Sequence, residues 1–138
     1  MVPISIAYQG ELRCSATHAN SGTTFITDAP KDNAGKGESF SPTDLIATAL
    51  GSCMITTMGI AARRENMNAT LDGTTIAIEK HMSSDAPRRI VKLVVKLSFP
   101  PGVPIHHRNR LKEIGDHCPV IKSLHPDIRL EISYNYPD

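Results

Sequence analysis

The chain has 138 residues, of which 40% are hydrophobic and 21% charged, a composition that fits one globular domain and excludes a disordered or fibrous segment. A formal net charge of +1, no tryptophan and 4% aromatics supply neither the basic footprint nor the stacking platforms of a nucleic-acid binder, and no patch for an anionic membrane. Three cysteines without C-x-x-C spacing exclude a secreted disulfide framework and a zinc ribbon; with no signal or transit pattern at the start, a cytoplasmic location is expected.

In chain order, residues 4–8, 13–18 and 23–27 are short strand-like runs separated by Gly10 and an Asn20-Ser21-Gly22 turn cluster, and predict a three-stranded meander. Residues 28–40 are rich in turn formers and have neither helical nor strand periodicity, so a loop long enough for function is expected. Ser41-Pro42-Thr43-Asp44 then announces a helix, with Ser41 as N-cap, Pro42 at the first helical position and Asp44 as the acid of a capping box. This helix should end at about Asn66. Placed at ~100° per residue, its apolar residues Leu45, Ile46, Leu50, Met54, Ile55, Met58 and Ile60 point in nearly every direction, so it needs cover all round. Its small and hydroxylated interruptions can bond back to the helix, which suits burial in protein rather than a membrane span.

Residues 71–81 and 88–99 read as a strand pair, the second placing Leu93, Val95, Leu97 and Phe99 on one face at period two. Residues 105–117 suggest a second helix and 119–124 a short third one. The terminal run alternates Ile128, Leu130, Ile132, Tyr134 and Tyr136 with polar residues, the pattern of a half-buried strand. The class is α+β in a single domain over residues 1–138. So few residues can build little more than one sheet over the apolar helix, so a second copy of the chain is expected as its remaining cover, in an obligate homodimer.

Two cysteines can carry chemistry. Cys53 lies inside the apolar helix, where a thiol is ordinarily inert packing. Cys118, followed by Pro119 at a first helical position, falls at a helix N-terminus, where unpaired N–H groups favour a thiolate. Cys14, on an early strand, reads as a small apolar filler. His106, His107 and His117 offer no His-x-x-x-His pair and no metal is expected; His117 suits a helix end, bonding to backbone carbonyls.

Ser-Pro-Thr-Asp-Leu-Ile-Ala-Thr-Ala-Leu-Gly-Ser-Cys at 41–53 and Cys-Pro-Val-Ile-Lys-Ser-Leu at 118–124 resemble the two cysteine motifs of the OsmC/organic hydroperoxide resistance superfamily. The motifs lie 65 residues apart, and the similarity extends over nearly the whole chain. The resemblance implies an intertwined α+β homodimer with sheet wrapped around long central helices. It also implies a cysteine peroxidase acting on organic hydroperoxides in oxidative stress defence. Cys53 is then the attacking sulfur, passing through a sulfenic acid, and Cys118 the resolving one. A dihydrolipoyl carrier protein is the implied reductant, and no cofactor is implied. Local chemistry thus favours Cys118 as the thiolate, and the resemblance favours Cys53.

By the same resemblance an arginine supports the attacking thiolate and is oriented by a glutamate at the start of the central helix. Arg13 is the match for the arginine, with Lys31 and Lys36 as alternatives. Thr43 stands where the glutamate would be. Asp44 is about 180° around the helix from Cys53, against about 80° for Thr43, which suits Asp44 to capping rather than catalysis. Glu38 could supply a carboxylate if the loop folded back. The alternative function is a non-enzymatic dimer of the same fold, acting as a redox sensor or binding a small apolar ligand.

Overall fold

The computed structural model of the chain describes residues 1–137. Its contacts divide it into two compact units, Met1–Ile46 and Ala47–Asp138. The described residues form ten elements, and the class is α+β.

The first unit is an antiparallel meander of β1 (Ile4–Gly10), β2 (Arg13–His18) and β3 (Thr24–Asp28), in that order. The register sets Ile6 opposite Ala16 and Ala16 opposite Phe25, so Ile4, Ile6, Tyr8 and Phe25 share one face of the sheet. On that face the β1 residues Ile4, Ile6 and Tyr8 are 64%, 68% and 66% exposed. The β1–β2 turn holds Glu11 and Leu12 at φ 53° and 62°, a left-handed conformation that costs a non-glycine residue roughly 1 kcal/mol. The Tyr8 hydroxyl offsets part of this by accepting the Leu12 N–H at 3.3 Å. The loop 29–40 is ordered by a 3-10 turn at Lys31–Asn33 and by a close approach at Gly35, where a Cβ would lie 1.7 Å from the Ala29 carbonyl oxygen.

The predicted capping box is present at the start of α1 (Pro42–Arg64). The Ser41 N–H donates to Asp44 Oδ2 at 2.8 Å, and the Asp44 N–H donates to Ser41 Oγ at 3.1 Å. The helix stops two residues before the expected Asn66. Asn66 takes φ 51°, and the Met67 N–H turns back onto the Ala62 carbonyl, the left-handed close that ends many helices. By length and composition α1 is apolar enough to cross a membrane, a test that core helices also pass.

In the second unit, α1 lies on a sheet of order β4-β5-β6: β4 (Thr75–Met82), β5 (Ile90–Ser98) and β6 (Arg129–Asn135). Strands β4 and β5 are antiparallel, whereas β5 and β6 are parallel and joined through α2 (Ile105–Asp116) and α3 (Pro119–Ser123). Period-two alternation turns Ile76, Ile78, Leu93, Val95, Leu97, Leu130 and Ile132 toward the helix. Ala47, Leu50, Met54 and Met58 of α1 fill the space between them. Gly51 is the point of closest approach: a Cβ there would lie 2.5 Å from Ile78 Cδ1. The first strand begins at Thr75 rather than 71, because Leu71 accepts the Thr74 N–H in a turn with Gly73 at φ 88°. The opposite face of α1 is less covered than its composition suggests, with Ile46 41% and Ile60 53% exposed.

Candidate active site

The two cysteines of interest exchange the environments expected of them. Cys53, on α1, is only half-buried, whereas Cys118 is fully buried in the core of the second unit. Cys118 is the N-cap of α3, as predicted, and the N–H groups of Ile121 and Val120 face its sulfur. They do not make it a ready thiolate. Burial outweighs them and pushes the Cys118 thiol above its ordinary 9.0, and a five-residue helix has little dipole to oppose that. The expectation of a low-pKa sulfur at Cys118 is therefore corrected.

The fold brings the two sulfurs together from positions 65 residues apart. Cys53 is a hydrogen-bond and charge neighbour of Cys118, and a negative charge on Cys53 raises the cost of ionising Cys118. Cys53 Sγ also lies 3.8 Å from Thr57 Oγ1, one helical turn on, where a hydroxyl can donate to a thiolate. Thr57 was not singled out from the sequence, although its i+4 spacing from Cys53 was readable there. Cys118 belongs to the core cluster that includes Leu50 and Met54, and Cys53 packs against that cluster, so the sulfurs meet in largely apolar surroundings.

Arg13 lies in the first unit, at the start of β2. Its Nη2 donates to Glu38, so the loop does fold back, and also to Asp28 Oδ2 at 3.3 Å. Asp28, the last residue of β3, was missed in the sequence because it reads there as the first polar residue of a loop. It is fully buried, and its Oδ2 also accepts the Glu38 N–H at 2.9 Å. That backbone bond, with Arg13 and the Lys36 N–H, holds the Asp28 carboxyl below its ordinary 3.8 despite burial. Arg13 is correspondingly held above its ordinary value, chiefly by Glu38. Arg13 Nε and Asp28 Oδ1 are buried without partners.

The remaining candidates fall elsewhere. Thr43 Oγ1 lies 3.2 Å from Ser41 Oγ, within the helix start. Asp44 is the cap that its position around the helix predicts. Lys31 and Lys36 are exposed in the loop, with the Lys31 stem against Gly37. His117 donates from Nδ1 to the Glu113 carbonyl at 2.7 Å, a helix-end bond. Among the described residues no three His, Cys, Asp or Glu side chains converge as metal ligands.

Comparison with known proteins agrees with this architecture. The family model described as OsmC-like protein matches residues 35–133. A solved structure from Psychrobacter arcticus 273-4, described provisionally as an osmotic stress induced and detoxification response protein, is 43% identical. It superposes with a TM-score of 0.90 over 98% of this chain and 96% of that one. An organic hydroperoxide resistance protein from Legionella pneumophila shares the fold at 12% identity, with a TM-score of 0.76 over 98% of this chain and 96% of that one. So does one from Elizabethkingia anophelis at 15% identity and a TM-score of 0.76, over 99% and 96% of the two chains. Among curated proteins none gives a significant match. With a family model spanning most of its length and a 43% identical structure matched end to end, the chain belongs to the OsmC-like protein family.

Proposed function

We propose that this chain is a thiol-dependent peroxidase that reduces organic hydroperoxides. The observation that carries the proposal is the meeting of a half-buried Cys53 with a buried Cys118 in apolar surroundings. Cys53 thiolate attacks the peroxide O–O bond and keeps the terminal oxygen as a sulfenic acid, while the alkoxide leaves and takes up a proton as alcohol. The Cys118 sulfur then displaces hydroxide from Cys53. The thiol proton accompanies it as water, and a disulfide remains. A dihydrolipoyl dithiol regenerates the two thiols and becomes the lipoyl disulfide. Apolar neighbours such as Leu50 and Met54 favour an organic substituent on the peroxide.

By resemblance Arg13 is the cation supporting the first attack, with Asp28 and Glu38 orienting it in place of the glutamate that Thr43 does not supply. The exposure of Ile4, Ile6 and Tyr8 on β1 and of Ile46 and Ile60 on α1 favours a homodimer, and the cytoplasm is its proposed location. A redox sensor of the same fold is the second reading, favoured by the double commitment of Arg13 to carboxylates. Turnover separates the two. Sustained loss of cumene hydroperoxide with dihydrolipoamide in the wild type, abolished in Cys53→Ser, is the result expected of the enzyme. A single oxidation without turnover would refute the enzyme.

A further inference from the structure

The connection that carries Cys118 is fastened at one point by a closed set of polar contacts. Asp116 is the last residue of α2, two residues before Cys118. Its Oδ1 accepts the Tyr134 hydroxyl of β6 at 2.6 Å, and its Oδ2 accepts Lys112 Nζ at 2.6 Å. Lys112 also lies 5.3 Å from the centre of the Tyr134 ring, and the ring stacks on Phe99. Between them Gly115 is pressed so close that a Cβ would lie 2.9 Å from the Tyr134 oxygen and 2.2 Å from Met58 Cε.

Each contact bears on the position of one sulfur. The Cys118 N–H bonds to the Gly115 carbonyl at 3.2 Å, so a displacement of the α2 end is passed to Cys118 through a hydrogen bond as well as through the chain. Cys118 is near enough to Tyr134 for its charge to oppose ionisation of the phenol. Burial and Asp116 oppose it more strongly, so Tyr134 remains a donor. A disulfide tolerates little misplacement, since its Cβ atoms must come to ~3.8 Å with a narrow range of torsion. The β6 strand, held against β5, is the rigid part to which the connection can be referenced.

We propose that Tyr134 and Asp116 are positioning residues for the resolving step, holding the α2–α3 junction where the Cys118 sulfur reaches Cys53. They touch neither substrate nor the peroxide bond, and the step they serve rests on the peroxidase reading above. Removing the latch slows condensation of Cys118 with a Cys53 sulfenic acid and leaves the first attack alone. Asp116→Asn gives up the Lys112 contact but keeps an oxygen acceptor for the phenol, whereas Asp116→Leu and Tyr134→Phe break the phenol bond on which the latch depends.

Two measurements on the full-length protein test this. Stopped-flow oxidation by cumene hydroperoxide separates sulfenic acid formation from disulfide formation. In Tyr134→Phe and Asp116→Leu the first rate constant should stay within about twofold of wild type. The second should fall roughly tenfold or more, as a sub-ångström displacement of a reacting group implies. Asp116→Asn should restore it. Equilibrium with a glutathione redox buffer gives the effective concentration of the two thiols, which should fall by the same factor, about 30 mV per tenfold. Unchanged resolution and unchanged effective concentration in Tyr134→Phe would overturn the proposal. So would equal slowing of both steps, the mark of general loosening. If wild-type Cys53 forms no sulfenic acid, the peroxidase reading fails, and the glutathione equilibrium still decides the latch.

Discussion

Replacing Gly51 with alanine tests how closely the cysteine-bearing helix lies on its sheet. The new methyl group would sit 2.5 Å from Ile78 Cδ1 and 3.2 Å from Ile76 Cγ2, both on β4. Two effects oppose each other. Alanine is better than glycine in a helix interior by about 1 kcal/mol, and forcing a methyl into a filled core costs about 1–3 kcal/mol. Gly51 is buried where α1 meets the sheet, and helix and sheet are both packed elsewhere along their length, so the steric cost should win by about 1 kcal/mol. Ile78→Val removes the offending Cδ1 and alone should cost about 1 kcal/mol. In that background Gly51→Ala should become neutral or stabilising, a coupling of about 1–2 kcal/mol between the sites. Urea unfolding of the four proteins reports it, at one protein concentration because association would shift the midpoint. Additive costs would refute the close approach of α1 to β4 at this residue.

Other consequences are as direct. In a Cys14→Ser/Cys53→Ser background, Cys118 should react with iodoacetamide at neutral pH at least about tenfold more slowly in the folded than in the urea-unfolded protein. Its thiol is both buried and raised above 9.0, so its rate should keep rising with pH beyond 9.0, where an ordinary thiol levels off. Thr57→Val should slow the first oxidation of Cys53 with little effect on resolution, and equal rates would remove Thr57 from the site. The Asp28 carboxyl is depressed below 3.8, so its contribution to stability is present above that value and lost as pH falls through its lower folded value. Asp28→Asn should accordingly flatten the acid limb of a urea-midpoint profile taken from about pH 6 to about pH 2. A limb of unchanged steepness would show that other carboxylates set it.

Much of the architecture was legible because local rules suffice for it. The alternation of Leu130, Ile132 and Tyr134, the capping box of Ser41 and Asp44, and the proline after Cys118 each depend on neighbours within a few residues. The sites of error depend on partners far along the chain. Cys53 seemed buried because α1 is apolar all round, yet only one side of that helix is filled by the sheet. Cys118 reads as an accessible helix end, and only the assembled core cluster to which it belongs buries it. Asp28 acquires its role from a loop that returns ten residues later to present the Glu38 N–H. No periodicity records such a return.

The parallel pairing of β5 and β6 also orders events in time. The last strand can dock only after α2 and α3 have crossed over, and the phenol that seats Gly115 arrives with it at Tyr134. During synthesis Cys53 is therefore made long before the residues that hold Cys118 beside it. A chain cut short before β6 would carry both thiols without the phenol that presses on Gly115.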